Sequence, residues 1–489
     1  MSRESSLFKQ SFFAAIWNGS ENLSIQILNL AFGIFFARLL SPEDFGLVAL
    51  ATVMAGFLDL FIDSGFGSAL IQAKDPSENQ KSSLFWLNIM IGVFLGFIFF
   101  LSAGFFANFY EDTRLIAITQ IISLNFILSS TVPVQLALLR KELNMKLIFK
   151  GRIAALLLSG GISLALAYYG FGYWSLVARV ILTSFFFAAM LWLLSGWFPK
   201  LHYQFKDVKS FLNFSLPLLG SNLVGYLSRN LDSLIIGKII GKVSLGLYNR
   251  GFQLVVIPGT QINGMLAQTL FSSFSKRQDN NELLYRSFKI VFKIVLLVSV
   301  FSGVYIFINA PLLIDVLLGD KWTAVTPILR VLTLYAAILP AVKLVGILFN
   351  SKGATQKLLK ISLVVFPIYL LAVFIGANFG AVGVAYGIFI SMIISGIPQL
   401  NASLKLIDKN LLTLMKSGWP SYILYILVYG VLFWFVGDID TFSNGMKLVG
   451  LPLIIYGSLT FFWYWINKEE AQWLMQLIRK NLGRNKSNS

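Results

Sequence analysis

Apolar stretches long enough to cross a bilayer recur along the whole chain, and short polar connections separate them. A helix needs about 20 apolar residues to span the hydrocarbon core. By this criterion the pattern predicts fourteen spans, approximately 13–39, 45–71, 82–104, 115–138, 153–169, 173–195, 211–237, 245–271, 288–309, 325–349, 361–376, 380–400, 418–437 and 445–466. We therefore expect an all-α polytopic membrane protein.

Basic residues concentrate in alternate connections. With residues at span ends counted in the adjoining connection, the tails and even-numbered loops hold 28 of the 39 lysines and arginines, the odd-numbered loops hold 6, and 5 lie within spans. The positive-inside rule then predicts a polytopic inner-membrane protein with both termini in the cytoplasm. The first apolar stretch is too long for a signal peptide, and we assign it to helix 1.

Composition and residue types argue against several classes of protein. The chain is 57% hydrophobic with a mean hydropathy of +0.75, which excludes a soluble domain. We attribute the net charge of +17 to topology and to contacts with anionic membrane lipids, and expect no nucleic-acid partner. With one histidine (His202) and no cysteine, a zinc site lacks its usual ligands. Since no extracytoplasmic loop has room for a catalytic domain, we expect neither enzyme activity nor a cofactor.

An internal repeat appears at an offset of 200 residues. Asn22-Leu23 aligns with Asn222-Leu223, and Gly46-Leu47 aligns with Gly246-Leu247. Six spans separate the copies, an even number, so the two halves share one orientation in the membrane. Parallel repeats of this kind are a common plan of transporters, in which the substrate site lies between the two halves. The predicted organisation is an N-terminal six-helix lobe (1–210), a pseudo-symmetric C-terminal six-helix lobe (211–410), two additional spans (411–466) and an amphipathic basic cytoplasmic tail (467–489).

Basic residues within spans are candidates for substrate binding, because a charge at membrane depth is costly. The candidate cavity cations are Arg179, Arg229, Arg250 and Arg330, and Lys343 is a fifth basic residue inside a span. Arg229 lies near the middle of span 7, three residues before Asp232. It could pair with Asp232 to permit burial, or it could face a cavity and hold a phosphate bidentately. The other cations could instead extend to the membrane interface.

Four acidic residues also fall within spans. They are Glu21, Asp59, Asp63 and Asp232. Carboxylates at this depth could carry protons or bind Na⁺, which makes them candidates for ion coupling. The alternative is that they take part in polar helix packing.

Several segments resemble bacterial polysaccharide flippases, the Wzx-like branch of the multidrug/oligosaccharidyl-lipid/polysaccharide superfamily. The segment ARLLSPEDFGL (37–47) resembles the connection between helices 1 and 2 of these proteins. Four further segments are similar to patterns of the colanic-acid or lipopolysaccharide exporter type: LLRKELNM (138–145), GFGYWSLV (170–177), LGLYNR (245–250) and PLLIDVLLGDKW (311–322). The similarity covers most of residues 10–400 and transfers no site residue.

The resemblance implies a transporter that moves undecaprenyl-diphosphate-linked oligosaccharide repeat units from the cytoplasmic to the periplasmic face. Such units supply O-antigen, capsule or exopolysaccharide synthesis, so the polysaccharide polymerase machinery is a candidate partner. A cation-coupled multidrug extruder of the same superfamily is the main alternative. It is disfavoured because four of the five basic residues within spans belong to the second half, against one acid, Asp232. A membrane glycan polymerase or ligase is disfavoured by the short extracytoplasmic loops.

Overall fold

The computed structural model describes residues 3–62, 65–255, 274, 278–416 and 468, and within them every regular element is helical. Residues 242–255, which are helical, are called α11. The other helices are α1 (Arg3–Leu39), α2 (Pro42–Ile62), α3 (Phe66–Gln72), α4 (Glu78–Leu101), α5 (Ala103–Tyr110), α6 (Arg114–Ser130), α7 (Pro133–Lys141), α8 (Met145–Tyr168), α9 (Tyr173–Ser195), α10 (Phe205–Ile235), α12 (Asn281–Leu317), α13 (Val325–Ser351), α14 (Thr355–Ala377) and α15 (Gly380–Lys405).

Ten helices in this part of the chain are long and apolar enough to cross a membrane. The prediction of an all-α polytopic membrane protein is confirmed. The count of fourteen stays a prediction. Spans 13 and 14 and most of span 8 lie outside the described residues, as does the basic tail apart from Lys468, and α10, which covers the predicted span 7, is not among the ten.

Local sequence explains where several helices begin and break. In the connection before α2, the Ser41 backbone N–H and Oγ donate to Asp44 Oδ2 at 2.9 and 2.7 Å, and Asp44 N–H donates to Ser41 Oγ at 3.3 Å. This reciprocal cap satisfies backbone donors that the first turn leaves free. Pro133 divides the fourth predicted span into α6 and α7, because proline fits the first turn of a helix but not its interior.

The chain divides into two compact units. The first contains Met1–Arg250, Leu317–Ala324 and Val373–Val384, and the second contains Gly251–Val316, Val325–Ala372 and Ala385–Ser489. The predicted lobe boundary near residue 210 and the division into two six-helix lobes stay predictions.

Within the first unit, α8 packs between α1 and α9, and α4 packs on α6. Gly92 and Gly96 of α4 face α6, where a Cβ at Gly96 would lie 3.0 Å from the Ser123 carbonyl oxygen. The second unit has its own core, which α12, α13 and α15 build from Phe288, Leu344, Leu348, Phe349 and Leu404. Each unit thus has tightly packed interior surfaces.

A close backbone contact in the first unit joins the start of α2 to the start of α11. A Cβ added at Gly46 would overlap the Lys242 carbonyl oxygen, and one added at Gly246 would overlap the Pro42 carbonyl oxygen. The same added atoms would lie 3.2 Å from Gly246 N and 3.1 Å from Gly46 N, respectively. The contact therefore repeats itself at an offset of 200 residues, which is the symmetry that the internal repeat predicts. We call it the glycine contact.

The glycine contact leads to a prediction about stability. Gly46→Ala or Gly246→Ala is expected to destabilise the protein by about 1–3 kcal/mol or more, because the methyl group meets rigid backbone and forces the two helices apart. The measurement is thermal unfolding of the purified protein in detergent. Gly161→Ala is the matched control: Gly161 lies inside α8 with open space around it, so alanine should leave the protein equally or more stable. Unchanged stability of both contact variants would contradict the packing.

Candidate functional site

Two of the predicted cavity cations lie together against α1. Arg179 of α9 donates from Nη2 to Asn29 Oδ1 at 2.8 Å, and its Cζ lies 5.5 and 5.3 Å from the ring centres of Phe32 and Phe36. Arg250 of α11 reaches the same helix beside Gly33, where an added Cβ would lie 3.0 Å from Arg250 Nη1. Both guanidinium groups therefore contact α1 between Asn29 and Phe36. The first unit therefore contains an arginine pair, Arg179 and Arg250, on one stretch of α1.

Phe45 holds the Arg250 end of this pair. The Arg250 Cζ lies 3.8 Å from the Phe45 ring centre, and Trp322 packs against the same ring at 5.3 Å between centroids. Trp322 is fully buried and donates from its indole Nε1 to the Ala37 carbonyl oxygen at 2.8 Å. Aromatic faces orient a guanidinium group without neutralising its charge. The end of α1 and the start of α2 are thus arranged around a cation.

Arg229 has a different environment. Its side chain is exposed and folds back along α10 over Gly225, where an added Cβ would lie 3.3 Å from Arg229 Nη1. Among the described residues it makes no ion pair, with Asp232 or with any other acid. The side chain of Asp232 accepts hydrogen bonds from Tyr248 Oη at 2.7 Å and from the Ser233 N–H at 2.8 Å. The i,i+3 ion pair considered from the sequence is therefore not formed.

The other acidic candidates lie in separate places. Glu21 is buried and its Oε1 lies 3.2 Å from Arg152 Nε of α8, whose guanidinium is 4.0 Å from the Phe187 ring centre. Asp59 accepts a hydrogen bond from Asn125 Nδ2 at 3.4 Å, and its Oδ1 is buried without a partner. Asp63 lies outside the described residues. The role of these acids, and of Asp232, in ion coupling stays a prediction.

The second unit contains the remaining basic residues predicted within spans. Arg330 of α13 lies with its Cζ 5.7 Å from the Phe307 ring centre, and its Nε is buried without a hydrogen-bond partner. Lys343 lies on the same helix. No group of three or more histidine, cysteine or acidic side chains that could hold a metal occurs in the part of the chain that the structure describes.

A network of four charged residues joins three connections in the first unit. Arg114 binds Asp112 bidentately at 3.0 and 2.8 Å and also donates to Glu43 Oε1 at 2.6 Å. Lys242 contacts Asp112 and lies 3.3 Å from Glu43 Oε1. We call Glu43, Asp112, Arg114 and Lys242 the loop ion network. It joins the start of α2, the α5–α6 connection and the start of α11, beside the glycine contact.

The geometry of this network changes the acidity of Asp112. Hydrogen bonds from Arg114 hold the pKa of the Asp112 carboxyl well below its usual range. Burial of the carboxyl opposes this shift, and the contact with Lys242 adds to it. A bidentate arginine and a second cation both favour the charged form of a carboxylate.

Several contributing residues were not predicted from the sequence. Asn29 positions Arg179, Tyr248 binds Asp232, and Arg152 pairs with Glu21. Arg152 lies just before the predicted fifth span, which begins at 153, whereas α8 begins at Met145. The sequence does show a basic residue near the end of one span and an acid near the end of another, which could indicate that Arg152 pairs with Glu21. It does not show how the two helices align, so the pair could not be predicted.

The architecture is that of a helical, multi-pass membrane protein. A structure of the lipid II flippase MurJ in an inward closed conformation aligns with it at a TM-score of 0.72 and 15% identity, covering 93% of this chain and 99% of that one. An inward-facing multidrug resistance MATE family transporter aligns with a TM-score of 0.63 at 17% identity, covering 81% and 99%. At these identities the likeness establishes the fold alone.

The family is established by sequence. Residues 35–327 match the family described as polysaccharide biosynthesis protein, and the chain belongs to that family. It is 28% identical over 351 residues to the teichuronic acid biosynthesis protein TuaB of Bacillus subtilis (strain 168), covering 71% of each chain. It is 25% identical over 426 residues to the lipopolysaccharide biosynthesis protein WzxC of Escherichia coli (strain K12), covering 86% of this chain and 84% of WzxC. The resemblance predicted from the sequence is confirmed.

The loop ion network predicts how stability changes with pH. Because the pKa of Asp112 is lowered on folding, its ion pairs stabilise the protein above about pH 4, the ordinary pKa of an unfolded aspartate, and this stabilisation is lost as the pH falls further. Asp112→Asn should therefore be less stable than the wild type at pH 7, with a difference in thermal unfolding temperature that shrinks between pH 4 and pH 3. A difference that stays constant across this range would contradict the assignment. Asp75→Asn, at an exposed acid outside the network, serves as the control.

Proposed function

We propose that this protein is a flippase that moves undecaprenyl-diphosphate-linked oligosaccharide repeat units across the cytoplasmic membrane for surface polysaccharide synthesis. Membership of the polysaccharide biosynthesis family and the flippase-like fold support this function. Similarity to WzxC and to the succinoglycan biosynthesis transport protein ExoT of Rhizobium meliloti (strain 1021), which is 25% identical over 305 residues, supports the same class of substrate. The polysaccharide polymerase is a proposed partner that would receive the repeat unit.

The observation that carries the proposal is that the Arg229 side chain is exposed and makes no ion pair with a described residue. An exposed guanidinium on α10, the helix that covers the predicted span 7, with no ion pair to any described residue, needs water or an anion beside it. Arg179 adds a second cation whose hydrogen-bond partner, Asn29, is neutral. We assign these two residues, with Arg250, to recognition of the diphosphate in the first unit, and we assign Arg330 to the same role in the second.

The chemistry of the substrate explains why such residues are needed. A diphosphate carries charges that cost several kcal/mol each when they enter hydrocarbon without compensation. Guanidinium groups in a water-filled space offset that cost and match phosphate geometry bidentately. The polyprenyl chain can stay in the bilayer throughout, so only the headgroup requires a polar route. No bond is made or broken in this process.

The proposed orientation places both termini and the even-numbered loops in the cytoplasm of a bacterial cell. Reporter fusions after Lys150 and after Ser489 are expected to read cytoplasmic, and a fusion after Asp320 is expected to read periplasmic, because the basic residues flank the spans on one side. A periplasmic signal at either of the first two positions would overturn this topology.

Depletion of the protein tests the function and its main binding residue together. Cells depleted of it should accumulate finished repeat units on undecaprenyl diphosphate and lose surface polysaccharide, both measured by mass spectrometry of lipid extracts and by polysaccharide assay. Complementation with Arg229→Ala should restore at most about a tenth of the transport while membrane abundance stays near normal, since a hydrogen bond to a charged group contributes about 1.5–3 kcal/mol.

Matched variants make the outcome specific. Arg229→Lys keeps the charge without the planar fork and should give an intermediate result. Lys357→Ala removes an exposed cation at the start of α14 and should complement fully. Unchanged lipid-linked pools after depletion would favour the drug-extruder alternative, and efflux of a cationic dye would then be measured. Loss of the Arg229→Ala protein from the membrane would instead indicate a structural role for that arginine.

A further inference from the structure

A row of three amide side chains lies on one face of α1. Asn22, Gln26 and Asn29 are spaced i, i+4 and i+7, which places them one above another along a helix. Asn22 and Asn29 are exposed, and Gln26 is half-buried with an Oε1 that has no hydrogen-bond partner. We call these three residues the amide row.

The position of the row restricts what it can face. α1 contains a stretch, Gly19–Leu39, that is apolar and long enough to cross the membrane, and only 17% of its most apolar window is buried. An amide that loses water without gaining a hydrogen bond costs roughly 1–3 kcal/mol in proteins. Among the described residues, none hydrogen-bonds the side chain of Asn22. The row therefore needs water or a polar ligand along the helix.

The arginine pair orients one end of the row. Arg179 Nη2 donates to Asn29 Oδ1 at 2.8 Å, so the amide must turn its oxygen toward the guanidinium. The Asn29 Nδ2 group is left as a donor that no described residue accepts from. Moving along α1 from the arginine pair, a ligand would first meet this donor, then Gln26, and then Asn22, whose amide offers both donors and acceptors.

The internal repeat reproduces the pattern. At the same three positions, 200 residues later, α10 has Asn222, Tyr226 and Arg229. All three can form hydrogen bonds, and Tyr226 Oη donates to the Val53 carbonyl oxygen at 2.7 Å. Both repeat helices therefore carry a polar row at equivalent positions, but the row on α1 is neutral whereas the row on α10 ends in a cation. The row on α1 therefore suits a neutral polar ligand, whereas the row on α10 suits a ligand with an anionic group.

We propose that the amide row binds the hydroxyl groups of the oligosaccharide through hydrogen bonds, while the arginines bind the diphosphate to which the oligosaccharide is attached. The inference rests on the proposed function and adds the part of the protein that recognises the sugars. Neutral amides suit this task because each one donates and accepts at once, which matches hydroxyl groups. They add no charge that would hinder release of an anionic lipid. The distance along α1 from Asn29 to Asn22 is about 10 Å at 1.5 Å per residue, enough for two sugar rings beyond the diphosphate.

The test compares two ligands on the purified full-length protein. One probe is undecaprenyl diphosphate without sugar, and the other is the undecaprenyl-linked repeat unit extracted from depleted cells. Asn22→Ala and Gln26→Ala are the decisive variants, since Arg179 hydrogen-bonds to Asn29 and to neither of these residues. Each is expected to weaken binding of the glycan-bearing ligand about 3- to 10-fold, the effect of one neutral hydrogen bond, and to leave binding of the sugar-free ligand within about 2-fold.

Controls separate this result from general damage. Leu23→Ala changes an exposed apolar neighbour of Asn22, and Asn378→Ala removes an exposed amide, just after α14, that bonds only to carbonyl oxygens at the end of that helix. Both should bind each ligand as the wild type does. Arg229→Ala should weaken binding of both ligands to a similar degree, because both carry the diphosphate.

Three results would overturn the inference. Equal weakening of both ligands by Asn22→Ala and Gln26→Ala would assign the row to the diphosphate or to the lipid. No change with either ligand would leave the row without a part in recognition, while wild-type binding of the glycan-bearing lipid would still support the proposed function. Failure of the wild type to bind either ligand would overturn the proposed function and the inference together.

Discussion

The first unit depends on a backbone contact that two glycines permit. Gly46 and Gly246 bring the starts of α2 and α11 so close that neither position has room for a Cβ. The consequence extends along both helices: Arg250 lies one turn after Gly246 and reaches the ring of Phe45, the residue before Gly46. The loop ion network lies at the same helix starts, where Lys242 reaches Glu43 and Asp112. Close packing, aromatic contact and ion pairing therefore act at one place, and any separation of α2 from α11 would have to break all three.

The hydrocarbon environment explains the form that the buried polar groups take. A charged or amide side chain at this depth must find a partner, a water-filled space or a ligand. Arg152 pairs with an acid, Glu21, so its charge is compensated within the protein. Arg179 contacts the amide of Asn29 and the rings of Phe32 and Phe36. These groups position its guanidinium but leave the positive charge uncompensated. These two arginines of the described helices therefore differ: the charge of Arg152 is paired, whereas that of Arg179 is suited to bind an anion from outside.

Hydropathy predicted most of the helices, and the reasons for its failures are physical. The sixth predicted span, 173–195, coincides with α9, since apolar residues fill it from end to end. The fifth was predicted to begin at 153 although α8 begins at Met145, because three basic residues in its first turns have the composition of a loop. Depth and charge indicated Arg179, Arg229 and Arg250 as candidates. The contact of Arg179 with Asn29 depends on how α9 packs against α1, and no periodicity within a single helix contains that information.

Transport requires that recognition be reversible, and this requirement bears on the choice of residues. A substrate bound far more tightly in one state than in the other would be trapped there, because a ligand shifts a conformational equilibrium by its differential affinity. In the proposed function, Arg179 and Arg229 hold the diphosphate with no acid paired to either, and further cations would slow its release. Additional specificity must then come from neutral groups, of which α1 presents three in a row next to Arg179. In the proposed mechanism the charge on the lipid determines whether a substrate enters, and the amides determine which glycan the protein accepts.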